Sequence, residues 1–529
     1  MKKILSDKAF VVELIGFVFF QVLLDMYRVF FENTVDVFGI ALPELLNFLY
    51  FGFLCLVFLC KHFRSPKKMI PLLVYAALIG VYSVLHVWNV LKFKQDILTG
   101  SEPNWFKELY FIARTYLVPV VVFYFFLCSK LTMRTFQKAV SGLSLVISAN
   151  IVITNFFKVS FICYASTLEK NSFITRNIFE WFYNPDTEFP VYMTSKGWFY
   201  MGNQIGLILF MLFVFVVMNA LQSGKVLSYV PVFLNGLALV MVGTKVSTLG
   251  CGIILALGFL FAVVFGVILK QFTFRFKQAA VYVLVVAVLL TTVGFSPMFT
   301  EQENRAESSV VTEEQSAVLD NFASNPDNPI TQRPGRPTDP DEPDVLDPSG
   351  EQFKKEFCEY VKSAPYFFGV LPEFLELLPI EDNFAFWYDI VINGNNRQVD
   401  YRYFKGVLYD EVLWLNQNET ADTLLGIGYI SNFPYSERDF AAQIIWFGYA
   451  GTVLLIGPYI LAVLYGIVLA LKRIKSCFIY QNAFFAVGIC TALALSYVAG
   501  HLFFGIFSIT VFAFIAAAFY KFQTERCVD

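Results

Sequence analysis

Apolar runs of about 20 residues, broken by short basic stretches, make up most of the chain. A hydrocarbon core about 30 Å thick takes roughly 20 residues per spanning helix. About twelve such runs fall near 9–31, 37–60, 69–90, 109–128, 138–157, 198–220, 227–244, 248–269, 279–299, 442–470, 478–499 and 502–520. The pattern predicts an all-α polytopic membrane protein of about twelve transmembrane helices with one large extracytoplasmic loop domain. The short basic segments set orientation: Lys2 and Lys3, 61–68, Lys130 to Lys138, Lys225, 270–277, 472–475, and Lys521 with Arg526. With the runs as drawn, all of these fall on one side. Both termini are then cytoplasmic, and 91–108, 158–197 and 300–441 face outside. Lys92, Lys94 and Lys107 lie in an outer loop, but Asp96, Glu102 and Glu108 accompany them. The start, MKKILSDK, reads as the opening of the first helix. No small-residue cleavage site follows it, and Asp25 and Arg28 lie where the run ends.

Only 300–441 is long enough for a domain outside the helices. Its first part, 300–350, is rich in Pro, Asp and Glu and is expected to be a disordered acidic linker. From 351 to 441 the spacing becomes helical and aromatic, as in FKKEFCEYVK and RQVDYRYFKGVLYDEVLWL, which predicts a helical loop domain of amphipathic helices on the membrane surface. Residues 1–299 then carry helices one to nine, and 442–529 helices ten to twelve.

Composition narrows the chemistry. The chain is 57% hydrophobic and 15% charged with a net charge of −3, so nothing suggests nucleic acid as a partner. Of nine Cys only Cys163 and Cys358 fall in segments expected outside, so no disulfide framework is implied and a single bridge is left open. His62, His86 and His501 have no metal-site spacing, and DPDEPD at 339–344 reads as a disordered acidic run. No metal is therefore expected, and with no P-loop and no nucleotide-binding glycine pattern neither ATP-driven transport nor intracellular nucleotide-sugar chemistry is indicated and no other cofactor is expected.

Charges inside apolar runs need a reason, because each costs about 2.5–3.5 kcal/mol to insert. Arg114 lies about one and a half turns inside its run, either snorkelling to headgroups or holding an anion. Lys245 sits among Gly243, Thr244, Ser247 and Thr248, either in a plain outer turn or as a second anion ligand. Arg397 and Arg402 are loop cations, solvated or turned towards the same anion. Gly426 and Gly428 form a tight turn where the polar segment returns to an apolar one. Glu437 and Asp439 follow; Asp439 is the better helix cap and Glu437 the better base.

GTK at 243–245, the long outer loop, GIG at 426–428 and ERDFAAQIIWFGYAG at 437–451 together resemble the O-antigen ligase and Wzy-type polymerase superfamily of bacterial membrane proteins. The resemblance covers about 198–470. Many members have Gly-Ser/Thr-Arg at the small turn and a His-Asn pair before the Gly-x-x-Gly helix. Here Lys245 takes the Arg position, and Glu437 with Arg438 takes the His-Asn positions, counted back from Gly448.

The resemblance implies a metal-independent, inverting glycosyltransferase in the bacterial cell membrane. It would polymerise polyprenyl-pyrophosphate-linked repeat units at the outer face, with other polysaccharide export or assembly proteins as further partners. Lys245, Arg402, Arg397 and Arg114 would stabilise charge on the leaving pyrophosphate. Glu437 would take the acceptor proton. Asp439, Gly426 and Gly428 would complete the substrate site. The missing His-Asn pair favours polymerase over ligase. The alternatives are ligase-like transfer to another acceptor, a transporter or flippase of lipid-linked oligosaccharide, and a scaffold of an envelope machine.

Overall fold

The computed structural model describes residues 6–31, 36–37, 40–94, 97, 103–163, 172–186, 188–273, 275–308, 317, 348–363, 365, 372–388, 390–391, 401–428, 438–472 and 479–525. The apolar runs fold as helices α1 (Asp7–Phe31), α2 (Leu42–His62), α3 (Pro66–Val90), α4 (Trp105–Cys128), α5 (Met133–Phe156), α6 (Gly202–Ser223), α7 (Tyr229–Val242), α8 (Lys245–Ile268) and α9 (Phe276–Val293). The polar segment adds α10 (Pro297–Ser308), α11 (Pro348–Ser363), α12 (Pro372–Leu377), α13 (Phe384–Tyr388), α14 (Tyr401–Asn416) and α15 (Glu419–Leu425). The chain then returns to apolar helices: α16 (Asp439–Leu455), α17 (Gly457–Lys472), α18 (Tyr480–Val498) and α19 (Ile506–Glu525). Among the described residues the one sheet is an antiparallel hairpin of β1 (Asp36–Val37) and β2 (Ile40–Ala41). The protein is a polytopic all-α membrane protein.

Among the described residues ten helices are long and apolar enough to span a membrane, and α16 with α17, bent 43° at a break, makes up to eleven. The difference from about twelve lies at 227–244. There α7 is a 14-residue helix, about 21 Å long, because Gly243 ends it in the left-handed region at φ 66°. Most of the expected 300–350 linker lies outside the described residues, and its start continues the helical path through Ser308.

The chain forms two compact units, one of Met1–Leu78, Ile112–Asn304 and Leu454–Asp529, the other of Ile79–Phe111 and Arg305–Val453. In the first, α6 and α19 are almost wholly enclosed. Helix α6 packs against α5, α7, α8 and α18, and α19 packs against α4, α17 and α1. Lipid is as apolar as leucine, so association rests on close packing and on interhelical hydrogen bonds worth about 0.6 kcal/mol each. Asn235 Nδ2 donates to Ser144 Oγ at 2.6 Å, Asn219 Nδ2 to Ser141 Oγ at 3.0 Å and Gln204 Nε2 to Ser508 Oγ at 3.1 Å. In the second unit, Phe353 and Phe357 of α11 meet Phe384 and Tyr388 of α13, with Phe357 and Tyr388 centroids 5.4 Å apart. The Trp387 indole closes this aromatic core by donating to the Leu378 carbonyl at 2.9 Å.

Candidate functional site

The GTK turn is built by its small residues. A Cβ on Gly243 would stand 2.7 Å from Thr194 Cγ2, and Ser195 N–H donates to the Met241 carbonyl at 2.8 Å, so the segment before α6 docks on the turn. Thr244 caps α8: its Oγ1 accepts from Ser247 N–H at 3.2 Å, and Ser247 Oγ accepts from Thr244 N–H at 3.1 Å. Lys245 is the first residue of α8, exposed and with no ion pair among the described residues. A cation there opposes the helix dipole by about 0.3–1 kcal/mol, so Lys245 does not serve the helix. In the segment docked on the turn, buried Lys196 donates to the Tyr200 carbonyl at 2.9 Å, and Tyr200 N–H donates to Asp25 Oδ2 at 2.9 Å.

Arg114 stands in a π-turn, Ala113–Leu117, within α4. Pro119 has no N–H to give the Thr115 carbonyl, and Val118 N–H reaches back to the Ala113 carbonyl instead. Arg114 Nη1 donates to Glu44 Oε1 at 3.2 Å, and Arg28 Nη2 lies 3.1 Å from the same oxygen. Arg114 therefore neither reaches alone to headgroups nor stands as a lone anion ligand; it belongs to a triad of net charge +1. Polar capacity remains here. Glu44 Oε2, Arg28 Nε, Asn47 Nδ2 and Thr115 Oγ1 are buried and form no hydrogen bond among the described residues.

In the second unit the glycines lock two backbones together. Ile427 N–H donates to the Ile445 carbonyl and Gly428 N–H to the Trp446 carbonyl, both at 3.0 Å, which takes those carbonyls out of α16. Helix α16 breaks at Gly448, with φ 62° and ψ −175°. A Cβ on Gly426, at φ 85°, would collide with the Trp446 carbonyl, and one on Gly448 with the Leu424 carbonyl. The two glycines expected in a substrate turn thus have a packing reason to be glycine. Buried Asp422 is wrapped by carboxamides: Asn416 at 2.6 Å, Asn89 at 2.8 Å and Asn418 at 3.3 Å. Burial raises its carboxyl above the usual carboxylate range, against those three donors.

Asp439 is buried and opens α16, one residue inside the cap, since the Arg438 carbonyl accepts from Ala442 N–H at 2.9 Å. Arg402 is the second residue of α14. Glu437 and Arg397 lie outside the described residues. Cys163 and Cys358 are both free thiols. Among the described residues no three His, Cys, Asp or Glu side chains group as metal ligands.

None of Arg28, Glu44, Lys196, His86, Glu108 and Asp422 is among the site residues expected from the sequence. One signal was available: Gln21, Asp25 and Arg28 fall on one face of α1, and all the more so because Glu44 and Asn47 do the same on α2.

The model of a family described as O-antigen ligase like membrane protein matches residues 8–352. The chain belongs to this family. An O-antigen ligase-like protein is a multi-pass membrane protein that handles lipid-linked glycan, and the match takes in the GTK turn and the Arg28–Glu44–Arg114 triad, whereas Leu424–Gly451 lies beyond it. No curated protein and no solved structure matches the chain.

Proposed function

We propose that this O-antigen ligase-like protein polymerises polyprenyl-pyrophosphate-linked repeat units at the outer face of the bacterial cytoplasmic membrane. An acceptor hydroxyl attacks the anomeric carbon of the donor, the bond to pyrophosphate breaks, and a single displacement inverts that carbon. The leaving pyrophosphate takes the electron pair. In this reading Lys245, Arg402 and Arg397 are the cations that offset its growing charge, and Arg114, tied to Glu44, supports the donor. The acceptor proton goes to Glu437. Asp439 at the head of α16 and the Gly426–Gly428 turn complete the substrate wall. No metal enters the step.

One observation carries this reading: Lys245 is an exposed cation at a helix N-terminus that its own helix does not want. Ligase-like transfer to a different acceptor is the second reading, favoured by the description of the family itself.

The test is turnover of a lipid-linked repeat unit by the purified protein in EDTA. A ladder of products in wild type, lost in Glu437→Gln with donor binding kept, is expected. A single addition to a foreign acceptor would favour the ligase reading. Activity lost in EDTA and restored by a divalent ion would overturn the mechanism.

A further inference from the structure

His86, one of three histidines without metal-site spacing, is wholly buried and doubly bonded. Its Nδ1 lies 2.7 Å from the Leu425 carbonyl, and its Nε2 lies 2.9 Å from Glu108 Oε1. A carbonyl only accepts, so Nδ1 carries a hydrogen. Nε2 and Glu108 then share one proton, as imidazolium with carboxylate or as neutral imidazole with carboxylic acid, and the pair is neutral either way. Tyr82, one turn back on α3, donates its one hydroxyl hydrogen to the Phe447 carbonyl at 2.8 Å, with the Leu425 carbonyl 3.2 Å from the same oxygen. Asn89, one turn on, donates to the Gly426 carbonyl at 3.0 Å. Glu108 Oε2 would stand 3.1 Å from a Cβ on Gly428. Three side chains of one helix face thus grip the carbonyls of Leu425, Gly426 and Phe447, on both sides of the backbone lock.

We propose that His86 and Glu108 are positioning residues for the transfer reaction, fixing the turn before Glu437 to the broken helix that opens at Asp439. This rests on the function proposed above. The base is carried on chain between two anchored points, and the shared proton keeps the first anchor closed. A group displaced by about 1 Å from its reacting partner can lose about 100-fold in rate, so loosening the anchor should be read in kcat.

The experiment uses full-length protein in nanodiscs with a lipid-linked oligosaccharide donor. Glu108→Ala and His86→Ala should lower kcat by roughly 10- to 100-fold, leave donor affinity unchanged, and speed amide exchange at Ile427 and Gly428. Glu108→Gln should restore all three, because its amide N–H donates to Nε2 of a neutral imidazole without any shared proton. Tyr82→Phe, which removes one hydroxyl and no bulk, should show the same effects more weakly. The double Ala variant should be no worse than either single one, as for residues acting as a unit.

Faster exchange with wild-type kcat would overturn the proposal. So would Glu108→Gln as inactive as Glu108→Ala, or loss of donor affinity in step with kcat. A wild-type protein that turns over no lipid-linked donor would instead defeat the proposed function.

Discussion

Lys245 is a cation where its helix would be better served by an acid. Lys245→Ala should therefore lower product formation by roughly 100- to 1,000-fold while leaving the melting temperature unchanged or slightly raised, and Lys245→Arg should stay active. Full activity in the Ala variant would remove the leaving-group cation. Such a residue is legible in a sequence because its neighbours, Gly243, Thr244 and Ser247, make its surroundings conspicuous. Arg114 was legible as a charge in the wrong place but its role was not, since Glu44 is 70 residues away on another helix. Asp422 looked like any helix-surface acid until folding buried it. Burial holds its folded value above that of an ordinary aspartate, so the native state holds this proton more tightly than the unfolded chain does. The stability it contributes is present below the unfolded value and is lost as pH rises through the raised folded value. Asp422→Asn removes the titration. The wild-type melting temperature relative to the variant should fall as pH climbs through that window and level off above it; a rise would reverse the assignment.

Helices were readable from apolar length alone, but their interruptions were not. The π-turn of α4 follows from Pro119 lacking a donor, a local signal whose consequence depends on what the freed turn meets. The break at Gly448 depends on Ile427 and Gly428 arriving to take the carbonyls of Ile445 and Trp446. Apolar length also cannot say whether a helix faces protein or lipid. Helices α3 and α6 are both strongly apolar, yet α6 is enclosed, whereas α3 turns Leu73, Val81, Val84 and Trp88 outward. Two glycine substitutions separate packing from propensity. Gly426→Ala forces a Cβ into a left-handed residue and against the Trp446 carbonyl, and should cost about 1–2 kcal/mol from handedness alone. Gly80→Ala, in α3 with nothing within 4 Å of the added carbon, should stabilise by about 0.5–1 kcal/mol. Thermal unfolding of both in detergent checks the opposite signs.

For the whole molecule, the basic loops predict both termini inside and 300–441 outside. A cysteine introduced at Asp320 should react with an impermeant reagent in intact cells, and one at Ser65 should be protected. The reverse labelling would place the proposed chemistry on the wrong face. One consequence concerns how the protein is made. His86 and the carbonyl it holds are 339 residues apart. Closing a loop of that length costs about 5 kcal/mol in chain entropy. At about 5–20 residues per second, the ribosome needs roughly 17 to 70 s to supply Leu425 after His86 has emerged. Through that interval Tyr82 and Asn89 stand at the end of an apolar helix with no backbone carbonyl to receive them. The half-made chain, not the finished one, is the form most open to mispairing and proteolysis, and a chain cut short before Leu425 should be cleared much faster than full-length protein.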